Sequence, residues 1–414
     1  MAIKPTERFK TLKTIVIIGF AEALSAPEVT WSLVDHGFEV IAFTRRGSRA
    51  ALRHSRFVRI FEVTPPEMDL AQAKEDLKSG VRRVAESSSA PVTLMPLDDQ
   101  ALWLCGRADL HSNALLVGPE GEALHLALDK RIQMDLAKAA GFSVPLYRCI
   151  DGPDEISKEE IEFPVVFKPA LAATETAGRL SRGRGWICAD SEELSSAVNR
   201  WKGQTPMILQ QFLPGIGEGV FGLATSRGVL AWSGHRRVRM MNPQGSGSSA
   251  CTAISPIDEE SRASAESFLA AGAWRGLFMV ELLRDHSGKL WFIEFNGRPW
   301  GSMALARRIG LEYPAWAVEA ALNSDLSPEI PPIKGNLPVC RHLAREILYL
   351  LFVARGSQSK ALRTWPSTWS ALSAVCRIGP NDRWYNWRRN DPKVFISDCF
   401  QSLWTQLVGA KMQR

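Results

Sequence analysis

The chain has 414 residues, enough for two or three structural units, and its 45% hydrophobic and 23% charged content is ordinary for a soluble globular enzyme. A formal net charge of +6 is modest at this length and suits anionic ligands such as nucleotides without demanding nucleic acid. Seven scattered cysteines without a Cys-x-x-Cys pair argue against zinc or a disulfide framework, and the apolar runs at 15–20 and 347–354 are too short to cross a membrane, so a cytoplasmic protein with reduced thiols and no transmembrane segment is expected.

Residues 14–20, TIVIIGF, read as a continuous apolar strand of the buried parallel type. A helix follows over 26–35 and stops at Gly37, then come a strand at 39–43, a helical segment near 69–87 and a strand at 92–96. This alternation predicts an open parallel βαβ sheet domain over residues 1–118. Its first strand-to-helix turn lacks Gly-x-Gly-x-x-Gly, so no dinucleotide is expected there. Asp98, Asp99 and Gln100 follow the strand at 92–96, where such sheets place ligands; a helix N-cap is the plainer reading and contact with a substrate amine the sharper one.

Asp129 and Lys130 open a helix that stops at Gly141. The strand FPVVFKP at 163–169 ends with Lys168 between apolar residues. Residues 174–186, TETAGRLSRGRGW, combine small residues, glycines and arginines, which let backbone amides and charge approach phosphate or make a plain basic turn. A strand at 208–213 runs into a turn, and a glycine-rich strand follows. The segment His235-Arg236-Arg237-Val238-Arg239 precedes a glycine-serine loop at 244–249; arginines of this kind bind carboxylates and phosphates bidentately.

Residues 276–302, GLFMVELLRDHSGKLWFIEFNGRPWGS, read as two strands joined at His286-Ser287-Gly288. Strand alternation puts Glu294 and Asn296 on one face, with Arg298 just beyond and Glu281 across the hairpin. Acids in apolar strands are costly unless paired or metal-bound, and this oxygen-rich set suits a hard cation carrying phosphates. After Asn323 the chain changes character: a linker-like stretch at 327–332, an amphipathic helix over 341–355, and a tail containing Trp365, Trp369, Trp384, Trp387 and Trp404. A helical cap is the preferred reading of this extension, and docking to a partner or membrane surface is the alternative.

The hairpin resembles the catalytic signature of the ATP-grasp superfamily of carboxylate-amine ligases, in which an acid on one strand and Glu-x-Asn-x-Arg on the next hold magnesium on the ATP phosphates. Residues 301–314 are similar to an unassigned branch resembling carbamoyl-phosphate-synthetase-like ATP-grasp proteins. The Asp-Lys helix start and the Phe-Pro-x-x-x-Lys-Pro strand fall where the family places its phosphate lysines. The resemblance spans residues 10–325 and implies an α/β chain. A two-lobed ATP-grasp fold would occupy 119–325, with the smaller lobe at about 145–212, followed by a helical extension at 326–414.

For the site, the resemblance implies Lys130 and Lys168 on the α- and β-phosphates, with the loop after Lys168 closing over them. Gln210, Gln211, Phe212 and Leu213 would form the hinge that reads adenine, with Gln211 standing where Glu is expected and Glu218 on the ribose. Glu281, Glu294 and Asn296 would hold Mg2+, or Mn2+ in its place. Arg298 would steady the transferring phosphoryl group, and Arg237 or Arg239 would hold the carboxylate or the γ-phosphate; Met240 stands where an acid is expected. The activity implied is ATP-dependent joining of a small-molecule carboxylate to an amine, with ADP and phosphate released. An ATP-binding protein or a carboxylate or carbamate kinase is the alternative. No nucleic-acid partner is expected, and homodimer assembly stays open.

Overall fold

The structure, a computed structural model, describes residues 14–156, 161–323, 328–332, 337–357, 359–362 and 364–412. Residues 1–13 and Ser327 of the linker-like stretch lie outside them.

The first unit contains β1 (Ile15–Gly19), α1 (Ala26–Asp35), β2 (Glu39–Arg45), β3 (Val58–Val63), α2 (Leu70–Glu86), β4 (Val92–Pro96), α3 (Asp99–Cys105) and β5 (Leu115–Leu116). Its five strands lie in the order β3-β2-β1-β4-β5, all parallel. Along β1 the side chains alternate between two cores, Ile15 and Ile17 in one and Val16 and Ile18 in the other. That is why the strand reads as unbroken apolar sequence. Gly37, at φ 85°, takes the left-handed conformation that ends α1. Asp69 and Asp98 cap α2 and α3 by accepting from Gln72 and Ala101 N–H. The edge strand β3 was not foreseen: its exposed Arg59 and Glu62 interrupt the apolar signal.

Next come α4 (Gly121–Leu128), α5 (Lys130–Ala139), β6 (Tyr147–Ile150), β7 (Val165–Pro169), β8 (Thr174–Thr176), β9 (Arg179–Ser181), β10 (Trp186–Cys188), α6 (Ser191–Trp201) and β11 (Met207–Gln211). Strands β10-β7-β11-β6 form an antiparallel sheet, the small lobe. One face buries Phe167, Met207 and Leu209 against Leu194, Ala197 and Trp201 of α6. The other face carries Lys168. Strands β8 and β9 make a separate hairpin turning at Ala177 and Gly178, both at positive φ as a tight hairpin turn requires.

The large lobe is built from β12 (Ile216–Thr225), β13 (Gly228–Asn242), β14 (Ser246–Ile254), α7 (Glu259–Ala271), β15 (Gly276–Arg284), β16 (Leu290–Asn296), α8 (Met303–Arg308) and α9 (Tyr313–Leu322). The extension adds β17 (Val339–Arg341), α10 (Leu343–Arg355), α11 (Thr368–Cys376), β18 (Asp382–Trp384) and α12 (Pro392–Met412). The sheet runs β16-β15-β12-β13-β14-β17-β18, so the extension is helical, as expected, but also contributes the last two strands at one side of the sheet. The amphipathic helix starts two residues later than expected, because Arg341 closes β17 and His342 caps α10. Among the described residues no helix is long and apolar enough to cross a membrane, and all seven cysteines are free.

Candidate active site

Pairing of β15 with β16 sets Glu281 opposite Glu294 and Met279 opposite Asn296. These side chains share one face, while Val280 and Phe295 point the other way into the core around Phe268 and Trp274. Asn296 Nδ2 donates to Glu294 Oε1 at 3.4 Å. Arg237 of β13 crosses the intervening strand β12 to reach Glu281, with Nη2 2.7 Å from Oε2. A Cβ at Gly217 would lie 2.6 Å from Arg237 Cδ, so a glycine there lets the arginine cross. Burial pushes the Glu281 carboxyl up, and Glu294 adds to the rise against the pull of Arg237. For Glu294 burial also acts upward, but Lys130 and Lys168 outweigh it and hold the carboxyl below its ordinary value.

The two lysines arrive from different elements. Asp129 caps α5, and Lys130 N–H donates to Ala170 O at 2.8 Å, which ties the helix start to the end of β7. Lys130 Nζ lies 3.8 Å from Glu294 Oε2. Burial draws Lys168 from 10.5 down to about 8, Lys130 pushes the same way, and Glu294 opposes.

Arg298 follows β16 and turns to the first domain. Its Nε donates to Asp99 Oδ1 at 2.5 Å and its Nη2 to Asp99 Oδ2 at 3.2 Å and Asn296 Oδ1 at 3.0 Å. Asp99 also binds Arg182, from the loop after β9. Burial would raise the Asp99 carboxyl, yet Arg298 and Arg182 hold it well below the carboxylate range. Asp99 is the functional candidate that sequence reading left undecided; its position after β4 was the available signal. The hairpin that leads into Arg182 is docked on the first domain: Leu180 N–H donates to Pro66 O at 2.8 Å, Leu70 N–H to Gly178 O at 2.9 Å, and Gln100 Nε2 to Leu180 O at 3.1 Å.

These groups line a cavity of about 240 Å³ containing four cations, Lys130, Lys168, Arg182 and Arg298, and two carboxylates, Asp99 and Glu294, with Gly183 and Gly185 at its wall. The balance favours a polyanion. Among the described residues no group of three or more acidic, histidine or cysteine side chains could hold a metal alone. Two opposed carboxylates and an amide do fit a hard cation that completes its shell with phosphate oxygens.

The remaining expected residues divide. Gln210 lies opposite Val166 in the β7–β11 register and so shares the Lys168 face; it is buried and its Oε1 has no hydrogen-bond partner. Gln211, opposite Val165, falls on the other face, so Gln210 is the glutamine turned to the large lobe. Phe212 N–H donates to Pro164 O at 3.1 Å, and half-buried Leu213 follows. Glu218 is not brought to this cationic cavity. It pairs with Leu282, one residue off Glu281, and so occupies the opposite face of the large-lobe sheet. There Arg236 (2.7 Å) and Arg284 (2.9 and 3.0 Å) clamp its carboxylate beside a separate cavity of about 140 Å³. Arg239 is also elsewhere: a register shift separates it from Arg237, and it makes three hydrogen bonds of 2.8–3.1 Å to Glu346 of α10. His235 is buried with Nδ1 2.7 Å from Ser302 Oγ; burial, aided by Arg237, lowers it to about 3 and keeps it neutral.

The same architecture occurs in solved structures. An L-amino acid ligase from Bacillus licheniformis superposes with a TM-score of 0.56 over 77% of each chain at 19% identity. N5-carboxyaminoimidazole synthetase from Staphylococcus aureus, complexed with ADP, gives 0.58 over 79% of this chain and 81% of that one at 14% identity. The biotin carboxylase domain of Hydrogenobacter thermophilus 2-oxoglutarate carboxylase, with MgADP and bicarbonate, gives 0.57 over 79% and 73% at 17% identity. The chain has the ATP-grasp fold. No family model matches it. An uncharacterized protein, y4rH, from Sinorhizobium fredii is 29% identical over 105 residues, which span 25% of this chain and 22% of that relative. Within the ATP-grasp fold of this chain, the small-lobe face carrying Lys168 and Gln210 and the large-lobe face carrying Glu281, Glu294 and Asn296 meet at the cationic cavity.

Proposed function

We propose that this ATP-grasp protein is a cytoplasmic ligase that joins a small-molecule carboxylate to an amine at the expense of ATP. The observation that carries the reading is the convergence of Lys130, Lys168, Arg182 and Arg298 on one cavity beside the opposed carboxylates Glu281 and Glu294. A carboxylate oxygen attacks the γ-phosphorus, the bond to the β-phosphate oxygen breaks, and ADP leaves. The amine nitrogen then attacks the acyl carbon, loses a proton and expels phosphate. Such chemistry asks the protein chiefly to align reactants and neutralise charge. Lys130, Lys168 and Arg182 suit the phosphates, and Arg298, steadied by Asp99, suits the transferring group. Gln210, Phe212 and Leu213 border the nucleoside end. Glu281, Glu294 and Asn296 would hold Mg2+, which supplies charge neutralisation at the phosphate oxygens when bound.

The test is a panel of amino acids, other carboxylates and amines, scored for ADP release and followed by mass spectrometry of the product. ADP formation that requires both partners, with an amide-linked product, is expected. ADP formed with the carboxylate alone and no amide would instead mark a carboxylate kinase, and nucleotide binding without turnover would mark a binding protein.

A further inference from the structure

The large-lobe sheet carries a second cationic group that the phosphate cavity does not use. Its members are Arg237 and Arg345, and the latter belongs to the C-terminal extension. His342 caps α10 by accepting from Arg345 N–H at 3.3 Å, which fixes the first turn of that helix over the β13–β14 hairpin. The Arg345 guanidinium then drops onto the glycine-serine turn. Its Nη1 donates to Ser248 O at 3.3 Å and lies 3.4 Å from the place a Cβ on Gly247 would occupy. Gly247 has φ 61°, so the turn favours glycine there for its backbone as well as for space.

The neighbouring arginines have carboxylate partners. Arg239 and Arg341 share Glu346, and Arg341 also binds Asp382. Arg345 has no carboxylate within ion-pair distance among the described residues, and its Nε is buried without a hydrogen-bond partner. Burial accordingly pulls its pKa down, with Asp398 opposing only in part. Arg237 gives Nη2 to Glu281, and its own Nε is likewise buried and unpartnered. Fully buried Cys251 relates the two. It faces Arg237 in the β13–β14 register, its thiol donates to Ser248 Oγ at 3.2 Å, and both guanidinium groups act on it electrostatically. A buried guanidinium nitrogen without an acceptor is costly, and planar guanidinium groups are best satisfied by carboxylates.

We propose that Arg237 and Arg345 together hold a short dicarboxylic acid, one carboxylate at each guanidinium, so that the C-terminal extension completes the substrate site. The end at Arg237 lies beside Glu281 and is the carboxylate to be activated; the end at Arg345 is not activated and fixes the length and charge of the substrate. This rests on the ligase reading for the role of the first carboxylate. The binding claim stands on the two arginines alone. Dicarboxylic amino acids belong to the same chemical class.

The probes are succinate, glutarate and adipate, each compared by calorimetry with the monocarboxylate of equal carbon number: butyrate, pentanoate and hexanoate. MgADP is titrated separately into every variant. At least one diacid should bind wild-type protein about tenfold or more tightly than its monoacid, the size of one charge-assisted pair. Arg345→Gln should erase that difference while leaving MgADP affinity unchanged, and Arg345→Lys should restore part of it. If Arg345→Gln loses MgADP binding as well, it has disturbed the fold, and the Arg345→Lys titration decides. Equal binding of diacids and monoacids by the wild-type chain, or a preference that survives both substitutions, overturns the proposal. Failure of wild-type protein to bind MgADP would sink the ligase reading instead and leave the diacid comparison standing.

Discussion

The ammonium of Lys168 is buried beside a second ammonium, and its pKa is drawn from 10.5 to about 8. Phosphate oxygens in the cavity would favour the charged form and raise that value again. Nucleotide affinity should therefore be level below pH 8 and fall as pH rises through 8, by about tenfold per pH unit until the pKa of the complex is reached. Calorimetry of MgADP at pH 8.5 in two buffers of different ionisation enthalpy should reveal proton uptake on binding. An absence of uptake, with pH-independent affinity up to pH 9, would remove Lys168 from the phosphates. At the other wall, Glu294→Ala or Arg298→Ala should lower ATP turnover by on the order of 10²–10³-fold with the far-UV circular dichroism unchanged. Wild-type turnover in either variant would refute the site. Glu294 and Asn296 were legible because period-two alternation survives in a single strand. Glu218 was assigned by resemblance alone, and one residue of parity puts its side chain on the sheet face opposite Glu281. The Asp99–Arg298 pair was illegible as a pair, because 199 positions separate its members and no local pattern connects them.

Elements that bury one continuous face were readable nearly to the residue. Helix α1 occupies its expected span, and α5 opens at Lys130 where the Asp129 cap announced it. Short strands at the end of the sheet were not readable: β17 and β18 have three residues each and lie among charged side chains. The hairpin β8–β9 belongs between these cases. Its glycines signalled a phosphate loop or a basic turn, and what resolves its position is docking on the first domain through Leu180, Gly178 and Gln100. That docking suggests a test at the element scale. A Cβ at Gly183 would lie 2.4 Å from Pro169 Cγ, closer than the pair can tolerate. Gly183→Ala should push the segment away from β7 and carry Arg182 off Asp99. Weaker MgADP binding by about tenfold, together with faster protease cleavage within 176–186, is the expected result. Unchanged affinity and cleavage would mean that the segment has slack the close contact does not suggest.

At the scale of the molecule, the last helix is bound to the first domain rather than laid over the two ATP-grasp lobes alone. Asp391, just before α12, accepts from Trp31 Nε1 at 3.1 Å, Ser55 Oγ at 2.6 Å and Arg56 N–H at 3.2 Å. Gln401 accepts from Ala51 N–H and donates to Glu22 O, and Val394 joins the core that contains Trp31, Met95 and Trp316. Composition could announce an arginine- and tryptophan-rich tail but not its docking place, because these bonds join residues more than 330 positions apart. The arrangement predicts that the extension and the first domain unfold together. Asp391→Ala would leave the indole N–H of Trp31, a residue only 1% exposed, without its acceptor. One stranded buried donor and two further lost bonds should lower the unfolding free energy by about 2–4 kcal/mol. In urea the midpoint should fall while a single transition persists by both tryptophan fluorescence and far-UV circular dichroism. Two separated transitions in the wild-type chain, or an unmoved midpoint in the variant, would show that the extension is an independent cap, and the substrate contact assigned to Arg345 would then have to be held by α10 without support from α12.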